Sequence, residues 1–161
     1  YCYSLLREIS NAGHTIGIHS ASHDYEKIYA SVDAFLEDFN EAYEIVLEAT
    51  GKAPDIYRFP GGSVNDYNEK TRDDIIAEMD RRGFTYFDWN VDSNDWQGYG
   101  WTTLYTNVLK DAEEFSSPVI LFHNTGDRDN TVLVIEDIIK ALKNKGYKFG
   151  SLSQKIKPVQ F

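Results

Sequence analysis

The pattern that most limits the fold of this chain is a regular alternation of helical and extended hydrophobic segments. Apolar spacing and capping residues predict helices at Tyr3–Ala12, Ser31–Gly51, Asn68–Arg82, Thr102–Phe115 and Thr131–Asn144. Short apolar or β-branched runs predict strands at Thr15–Ile18, Ile56–Phe59, Phe84–Val91, Pro118–Phe122 and Tyr147–Phe149. Because a helix supplies the crossover between parallel strands, we expect an α/β fold with a mostly parallel sheet.

Composition is consistent with this fold class and excludes several others. The chain has 161 residues, of which 42% are hydrophobic and 14% aromatic, so disorder is excluded and we expect one domain, residues 1–161. No apolar run approaches the ~20 residues that a membrane-spanning helix needs. The net charge of −10 argues against a nucleic-acid partner, which would need a basic face, and against polyanionic substrates.

Polar residues follow the predicted strands at the edge where parallel sheets carry their chemistry. His19 and His23 follow the first strand, and Arg58 lies within the second. Asp95 follows the third strand, and His123 follows the fourth. We therefore expect three of the four histidines to converge at one edge of the sheet.

His19 and His23 are four residues apart, so a helical turn beginning at His19 would present both imidazoles on one side. This arrangement suits a divalent metal. A catalytic site needs a third ligand, and the candidates by position are Asp24, Asp88, Asp92 and Asp95. Two polar residues on an exposed turn would show the same spacing without binding anything.

Three further features have both a structural and a functional interpretation. Arg58, inside an apolar strand, needs a carboxylate or solvent, and a simple salt bridge would satisfy it. Gly61 and Gly62 fit a tight turn, but the same turn would expose a backbone N–H to a developing oxyanion. Trp96 lies in an aromatic loop that would pack inside the protein or offer a platform to a sugar ring.

Together, four short motifs resemble those of the polysaccharide deacetylase family, the NodB-homology domain of carbohydrate esterase family 4. They are His19-Ser20-x-x-His23, Arg58-Phe59-Pro60-Gly61-Gly62, Asp92-x-x-Asp95-Trp96 and Leu121-Phe122-His123. Each motif is weak alone, but their order and their places at strand ends make the combination specific. The resemblance implies a distorted (β/α) barrel that holds a divalent metal, most commonly zinc, on two histidines and an aspartate.

The resemblance also implies roles for individual residues. His19 and His23 match the metal ligands, and His123 matches the general acid that protonates the leaving amine. Asp95 corresponds to the carboxylate that tunes this acid, and Arg58 to the arginine that orients the catalytic base.

Three residues match substrate-binding positions of the family. The N–H of Gly61 would bind the oxyanion, at a position where the family often has tyrosine. Leu121 would line the pocket for the acetyl methyl group, and Trp96 would form a wall of the groove.

One motif of the family is missing from this sequence. A paired Asp-Asp supplies the base and the third metal ligand in the family, but the only adjacent aspartates, Asp73-Asp74, fall inside a predicted helix. We therefore expect that the first β/α unit is absent from this chain and that the domain is N-terminally incomplete. An exposed sheet edge invites pairing, so we expect the missing segment or a neighbouring chain to complete the sheet.

The leading hypothesis is a metal-dependent hydrolase that removes acetyl groups from N-acetylated, or in some members O-acetylated, polysaccharide. By family habit such an enzyme would be secreted or attached to the cell surface. The alternative is a non-catalytic carbohydrate-binding module on a degenerate deacetylase scaffold. A structural α/β domain whose histidine pair binds nothing is a third possibility.

Overall fold

The computed structural model of the protein describes residues 2–126 and 129–161, except the side chain of Cys2. It divides the chain into two compact units. The first unit runs up to Asp88 and includes Ser151–Phe161, and the second is Trp89–Gly150. The assignment of residues 1–161 to one domain stays a prediction.

The first unit combines helices with a small parallel sheet. Its elements are α1 (Cys2–Asn11), α2 (Tyr25–Ile28), α3 (Val32–Thr50), β1 (Ile56–Tyr57), α4 (Arg72–Arg81) and β2 (Thr85–Tyr86). In the β1–β2 pair, Ile56 lies opposite Thr85 and Tyr57 opposite Tyr86. Ile18 forms a parallel bridge on the other edge of β1, where the Arg58 N–H donates to the Ile18 carbonyl at 2.9 Å.

The ends of α3 follow its capping residues. Ser31 is extended, and its hydroxyl accepts a hydrogen bond from the Ala34 N–H at 3.1 Å. Gly51 adopts the left-handed conformation at φ 69° and donates its N–H to the Leu47 carbonyl at 2.8 Å. The sequence predicted both ends of this helix correctly.

Aromatic side chains form much of the core of the first unit. Phe39 of α3 meets Tyr57 of β1 edge to face, with ring centroids 5.9 Å apart and planes at 89°. Phe59 meets Tyr86 in the same way at 5.4 Å and 83°. Edge-to-face packing is the favourable geometry for aromatic quadrupoles. The core therefore fixes β1 and the start of the loop that follows it.

The second unit repeats the parallel strand arrangement on a separate core. Its elements are β3 (Val91–Asp92), a 3₁₀ turn (Asp95–Gln97), α5 (Trp101–Ala112), β4 (Ile120–Leu121) and α6 (Asp129–Asn144). In the β3–β4 pair, Val91 lies opposite Ile120 and Asp92 opposite Leu121. α5 packs against α6, and the shared core consists of Val91, Leu104, Val108, Ala112, Val134, Ile138 and Leu142. Both strand pairs are parallel, as the crossover pattern predicted.

The prediction of one long strand at Phe84–Val91 is wrong. In the first unit the Phe87 N–H donates to the Tyr57 carbonyl at 2.9 Å, but the next N–H, of Asp88, donates to Val159 at 2.8 Å. In the second unit the Asn90 N–H donates to the Val119 carbonyl at 3.1 Å. Because these N–H groups bond to different partners, no single ladder runs along the segment, and β2 and β3 form instead.

The other predicted strands are shorter than expected or absent. Thr15–Ile18 contributes only the Ile18 bridge, while Ile56–Phe59 and Pro118–Phe122 shorten to β1 and β4. Tyr147–Phe149 forms no strand; the Tyr147 hydroxyl donates to the Ala112 carbonyl at 2.9 Å. Among residues 2–126 and 129–161, no helix is both long and apolar enough to span a membrane.

The hydroxyl of Tyr57 provides a test of the core. Tyr57 is 2% exposed, and within the described residues no group hydrogen-bonds to its hydroxyl. A buried hydroxyl without a partner costs about 1–3 kcal/mol. We expect Tyr57→Phe to raise the free energy of unfolding by about 1 kcal/mol in urea denaturation.

Tyr29→Phe is the matched control, because the Tyr29 hydroxyl donates to the Pro60 carbonyl at 2.7 Å. This variant should be less stable than the wild type. Equal losses of stability in the Tyr57 and Tyr29 variants would contradict the prediction for Tyr57.

Candidate active site

The loop after Ile18 holds His19 and His23 side by side. Their ring centroids are 5.2 Å apart, with the planes at 56°, and both residues are exposed. The Nδ1 atom of His19 lies 2.9 Å from the Arg58 carbonyl oxygen. A carbonyl can only accept a hydrogen bond, so Nδ1 carries the proton, and Nε2 is the nitrogen suited to a metal.

The helical turn that the spacing of His19 and His23 would permit does not form in the structure. α2 begins only at Tyr25, and its N-cap is Asp24, whose carboxylate accepts the Lys27 N–H at 3.2 Å. His23 has a positive φ of 54°, which is uncommon for a residue with a side chain. A tight loop, rather than helical spacing, therefore brings the two imidazoles together.

A buried carboxylate shapes this loop. Asp38 on α3 accepts the Ser20 hydroxyl at 2.6 Å, the Ala21 N–H at 3.0 Å and the Ser22 N–H at 2.9 Å. Ser20 in turn accepts the His23 N–H at 2.8 Å through its hydroxyl oxygen. Burial raises the pKa of Asp38, but the hydrogen bonds from Ser20, Ser22 and Ala21 outweigh it, so the pKa lies below its ordinary value. Sequence reasoning missed Asp38.

A second buried carboxylate lies in the surroundings of Arg58. Burial lowers the pKa of the Arg58 guanidinium, and the negative charge of Asp88 opposes that shift. Asp88 is 0% exposed and accepts the Ser63 N–H at 2.8 Å, the Ser63 hydroxyl at 2.6 Å and the Phe161 N–H at 2.9 Å. Asp88 therefore provides a negative charge near Arg58 and anchors the end of the Pro60–Ser63 loop.

Gly61 in this loop lies against an aromatic ring. Its φ is 76°, and a Cβ atom there would lie 3.2 Å from the ring of Tyr25, which itself lies 5.3 Å from the ring of His23 between centroids. Both the backbone conformation and the close approach favour glycine. The predicted helix start at Asn68 is too early: Asn68 lies in a turn, its side-chain amide donates to the Ser63 carbonyl at 3.2 Å, and α4 begins only at Arg72.

The second unit contains an aspartate–histidine pair. Asp95 Oδ1 lies 2.7 Å from His123 Nδ1, and Asp95 Oδ2 accepts the His123 N–H and the Thr131 hydroxyl, each at 2.8 Å. The Asp95 side chain is 1% exposed, whereas that of His123 is 38% exposed. The buried carboxylate therefore orients an imidazole that solvent still reaches.

The environment of Asp95 keeps it ionised. Burial raises its pKa, but the hydrogen bonds from the His123 N–H, the His123 ring and Thr131 outweigh burial and place the pKa below its ordinary value.

Two predicted substrate-binding residues lie close to this pair in the sequence. Trp96 is 53% exposed in the 3₁₀ turn, and Leu121 is 6% exposed at the end of β4.

No candidate for the third metal ligand joins the histidine pair. Within the described ranges 2–126 and 129–161, no group of three His, Cys, Asp or Glu side chains is arranged to hold a metal. Asp24 caps α2 and Asp92 accepts the Asn94 N–H at 2.8 Å, while the contacts of Asp88 and Asp95 are those given above. Imidazoles are common ligands of divalent metals, but the ligand role of His19 and His23 and the convergence of His123 with them stay predictions.

Comparison with known proteins identifies the family. The sequence profile described as polysaccharide deacetylase matches residues 2–84. This chain belongs to the polysaccharide deacetylase family.

Similarity to solved deacetylases extends over nearly the whole chain. The catalytic domain of peptidoglycan N-acetylglucosamine deacetylase from Eubacterium rectale ATCC 33656 superposes with a TM-score of 0.92 at 31% identity. The match covers 99% of this chain and 74% of that one. The predicted (β/α) fold of the polysaccharide deacetylase type is therefore confirmed.

Two further similarities bear on function. A peptidoglycan-N-acetylglucosamine deacetylase of Bacillus cereus is 30% identical over 151 residues, which are 90% of this chain and 52% of that protein. The chain thus spans about half the length of this deacetylase relative. A carbohydrate esterase family 4 pseudoenzyme of Bacillus anthracis shares the deacetylase fold, with a TM-score of 0.79 at 21% identity over 99% of this chain and 52% of that one.

The Asp95–His123 pair predicts how the stability of this chain depends on pH. The pKa of Asp95 is lower in the folded state than its ordinary value of 3.8, so ionisation contributes stability that is present above that value. This contribution is lost as the pH falls through the folded-state pKa. We expect Asp95→Asn to lower the melting temperature at pH 7 and to flatten its decline below about pH 4, as measured by thermal unfolding.

Asp66→Asn, in an exposed turn, serves as the control and should leave both quantities unchanged. An acid dependence in Asp95→Asn as steep as in the wild type would contradict the prediction.

Proposed function

We propose that the protein containing this chain is a metal-dependent hydrolase that removes acetyl groups from N-acetylated polysaccharide. The observation that carries the proposal is the pair of exposed imidazoles of His19 and His23, whose ring centroids are 5.2 Å apart. Both residues belong to a sequence motif of the deacetylase family. Peptidoglycan is the first candidate substrate, because several relatives are named peptidoglycan N-acetylglucosamine deacetylases. A polymer of the cell wall also makes a secreted or surface location part of the proposal.

His19 and His23 would hold the metal, with zinc as the first candidate. Neutral imidazoles are common zinc ligands, and because Nδ1 of His19 is bonded to the Arg58 carbonyl, His19 would bind the metal through Nε2. When bound, a divalent metal polarises the acetyl carbonyl and lowers the pKa of water to about 7. A third ligand and a catalytic base, roles that the family assigns to a paired Asp-Asp, would complete the site.

His123 would act as the general acid. Asp95 accepts from Nδ1, so the opposite ring nitrogen, Nε2, can deliver a proton to the departing nitrogen. The oxygen of water would bond to the acetyl carbon while the catalytic base takes a proton from that water. The C–N bond would then break as His123 delivers its proton to the departing nitrogen, which leaves acetate and the free amine. An amine leaves readily only when protonated, so this transfer is essential to the reaction.

Four other residues would orient the substrate and the base. Arg58 would hold the catalytic carboxylate, and the Gly61 N–H would bind the oxygen on which negative charge develops. Leu121 would contact the acetyl methyl group, and the exposed ring of Trp96 would flank the sugar.

Acetate release from N-acetylated peptidoglycan fragments tests the metal mechanism. We expect the full-length natural chain to lose activity on chelation and to recover it with zinc or cobalt. His19→Ala should abolish activity, because one of two imidazole ligands is removed. His14→Ala, which changes an exposed histidine with no proposed role in the reaction, is the matched control and should be unaffected. Activity that survives both chelation and His19→Ala would refute the metal mechanism.

The acid role makes a separate prediction. His123→Ala should lower kcat by about 10²–10⁴-fold, the usual range for loss of a general acid. The variant should still bind zinc, because His123 is not a proposed ligand. A glycan-binding protein without any acetate release, whose upstream sequence lacks an Asp-Asp pair, would favour the non-catalytic binding module.

A further inference from the structure

We propose that Asp38 is a positioning residue that sets His19 and His23 in the arrangement needed to bind the metal. The inference rests on the proposed function for the presence of a metal. Its structural basis is independent of that function, because it consists of the contacts between α3 and the loop at residues 19–23. Asp38 is not a ligand and acts through Ser20, Ala21 and Ser22.

The contacts of Asp38 leave the loop little freedom. Asp38 is 4% exposed, and its oxygens accept three donors from three consecutive residues, at 2.6, 3.0 and 2.9 Å. A buried carboxylate that lost these donors would remain desolvated without compensation. The loop is therefore held in the one conformation that directs all three donors toward α3.

Ser20 connects this anchor to the second histidine. Its hydroxyl donates to Asp38 and accepts the N–H of His23 at 2.8 Å, so a short chain of hydrogen bonds runs from α3 to the His23 backbone. His23 adopts its positive φ of 54° only because its surroundings hold it there. On the other side of the loop, the ring of His19 is fixed by the Arg58 carbonyl.

The two imidazoles are thus already adjacent in the metal-free protein. Without the anchor, metal binding would have to order the loop, and part of the binding free energy would be lost to that ordering. Loss of a residue that orients metal ligands typically weakens metal affinity by about 10–100-fold. An amide at position 38 would turn an NH₂ group toward donors that need an acceptor, so Asp38→Asn should behave as a loss rather than as a conservative change.

Zinc affinity of the full-length natural chain, measured by competition with a chromophoric chelator, tests the inference. We expect Asp38→Asn and Asp38→Ala to weaken zinc binding by about 10–100-fold, and Asp38→Glu to recover part of it. Ser20→Ala should also weaken binding although it leaves the Asp38 charge in place, which separates positioning from long-range attraction. Val46→Ala is the control, because it removes a buried side chain from the same helix without touching the loop.

Hydrogen exchange of the metal-free protein gives a second readout that needs no metal. The amides of Ala21 and Ser22 should exchange faster in Asp38→Asn than in Val46→Ala at matched global stability. Equal zinc affinity in Asp38→Asn and the wild type, or equal loss in Asp38→Asn and Val46→Ala, would overturn the inference. If the wild type binds no zinc, both the proposed function and the effect of Asp38 on metal binding are overturned. If amide exchange of Ala21 and Ser22 is unchanged in Asp38→Asn, the claim that Asp38 orders the loop is overturned.

Discussion

A protein interior tolerates a carboxylate only when N–H and O–H groups replace the water that it has lost. Asp38, Asp88 and Asp95 meet this requirement in the same way, with each at most 4% exposed and bonded to two or more donors. Many of these donors belong to loops that follow strands. The need to satisfy a charge therefore becomes a restraint on the shape of each loop.

This restraint matters because the strands themselves are short. β1 and β4 each contain 2 residues in the ladder, and such short ladders cannot define the path of the chain several residues beyond their ends. Packing in the core fixes the position of each strand, and hydrogen bonds to the buried carboxylates fix the conformation of the loops. In the first unit Asp38 shapes the His19–His23 loop, and Asp88 anchors the loop that contains Gly61.

The same division explains what could be predicted from the sequence. The ends of α3 at Ser31 and Gly51 could be predicted because helix caps depend on local chemistry. The motif residues could be recognised because the order of the motifs along the chain is specific. Asp38 was not recognised, although a charged residue on the inward face of α3, next to Phe39, was a signal that could have been followed. Hydrophobic patterns report burial and not hydrogen-bond partners, so they could not show that the segment at Phe84–Val91 changes partner, or that a loop brings the two histidines together.

Membership of the family does not by itself establish catalysis, because a pseudoenzyme shares this fold. Catalytic competence depends on particular side chains and on what holds them. The imidazoles of His19 and His23 are held by groups of their own unit, the Arg58 carbonyl and the Asp38 anchor. His123 is likewise held within its own unit by Asp95, which is in turn bonded to Thr131. Each set is thus ordered by contacts inside one unit, so the two halves of the proposed chemistry can be tested separately, the first by zinc binding and the second by proton transfer.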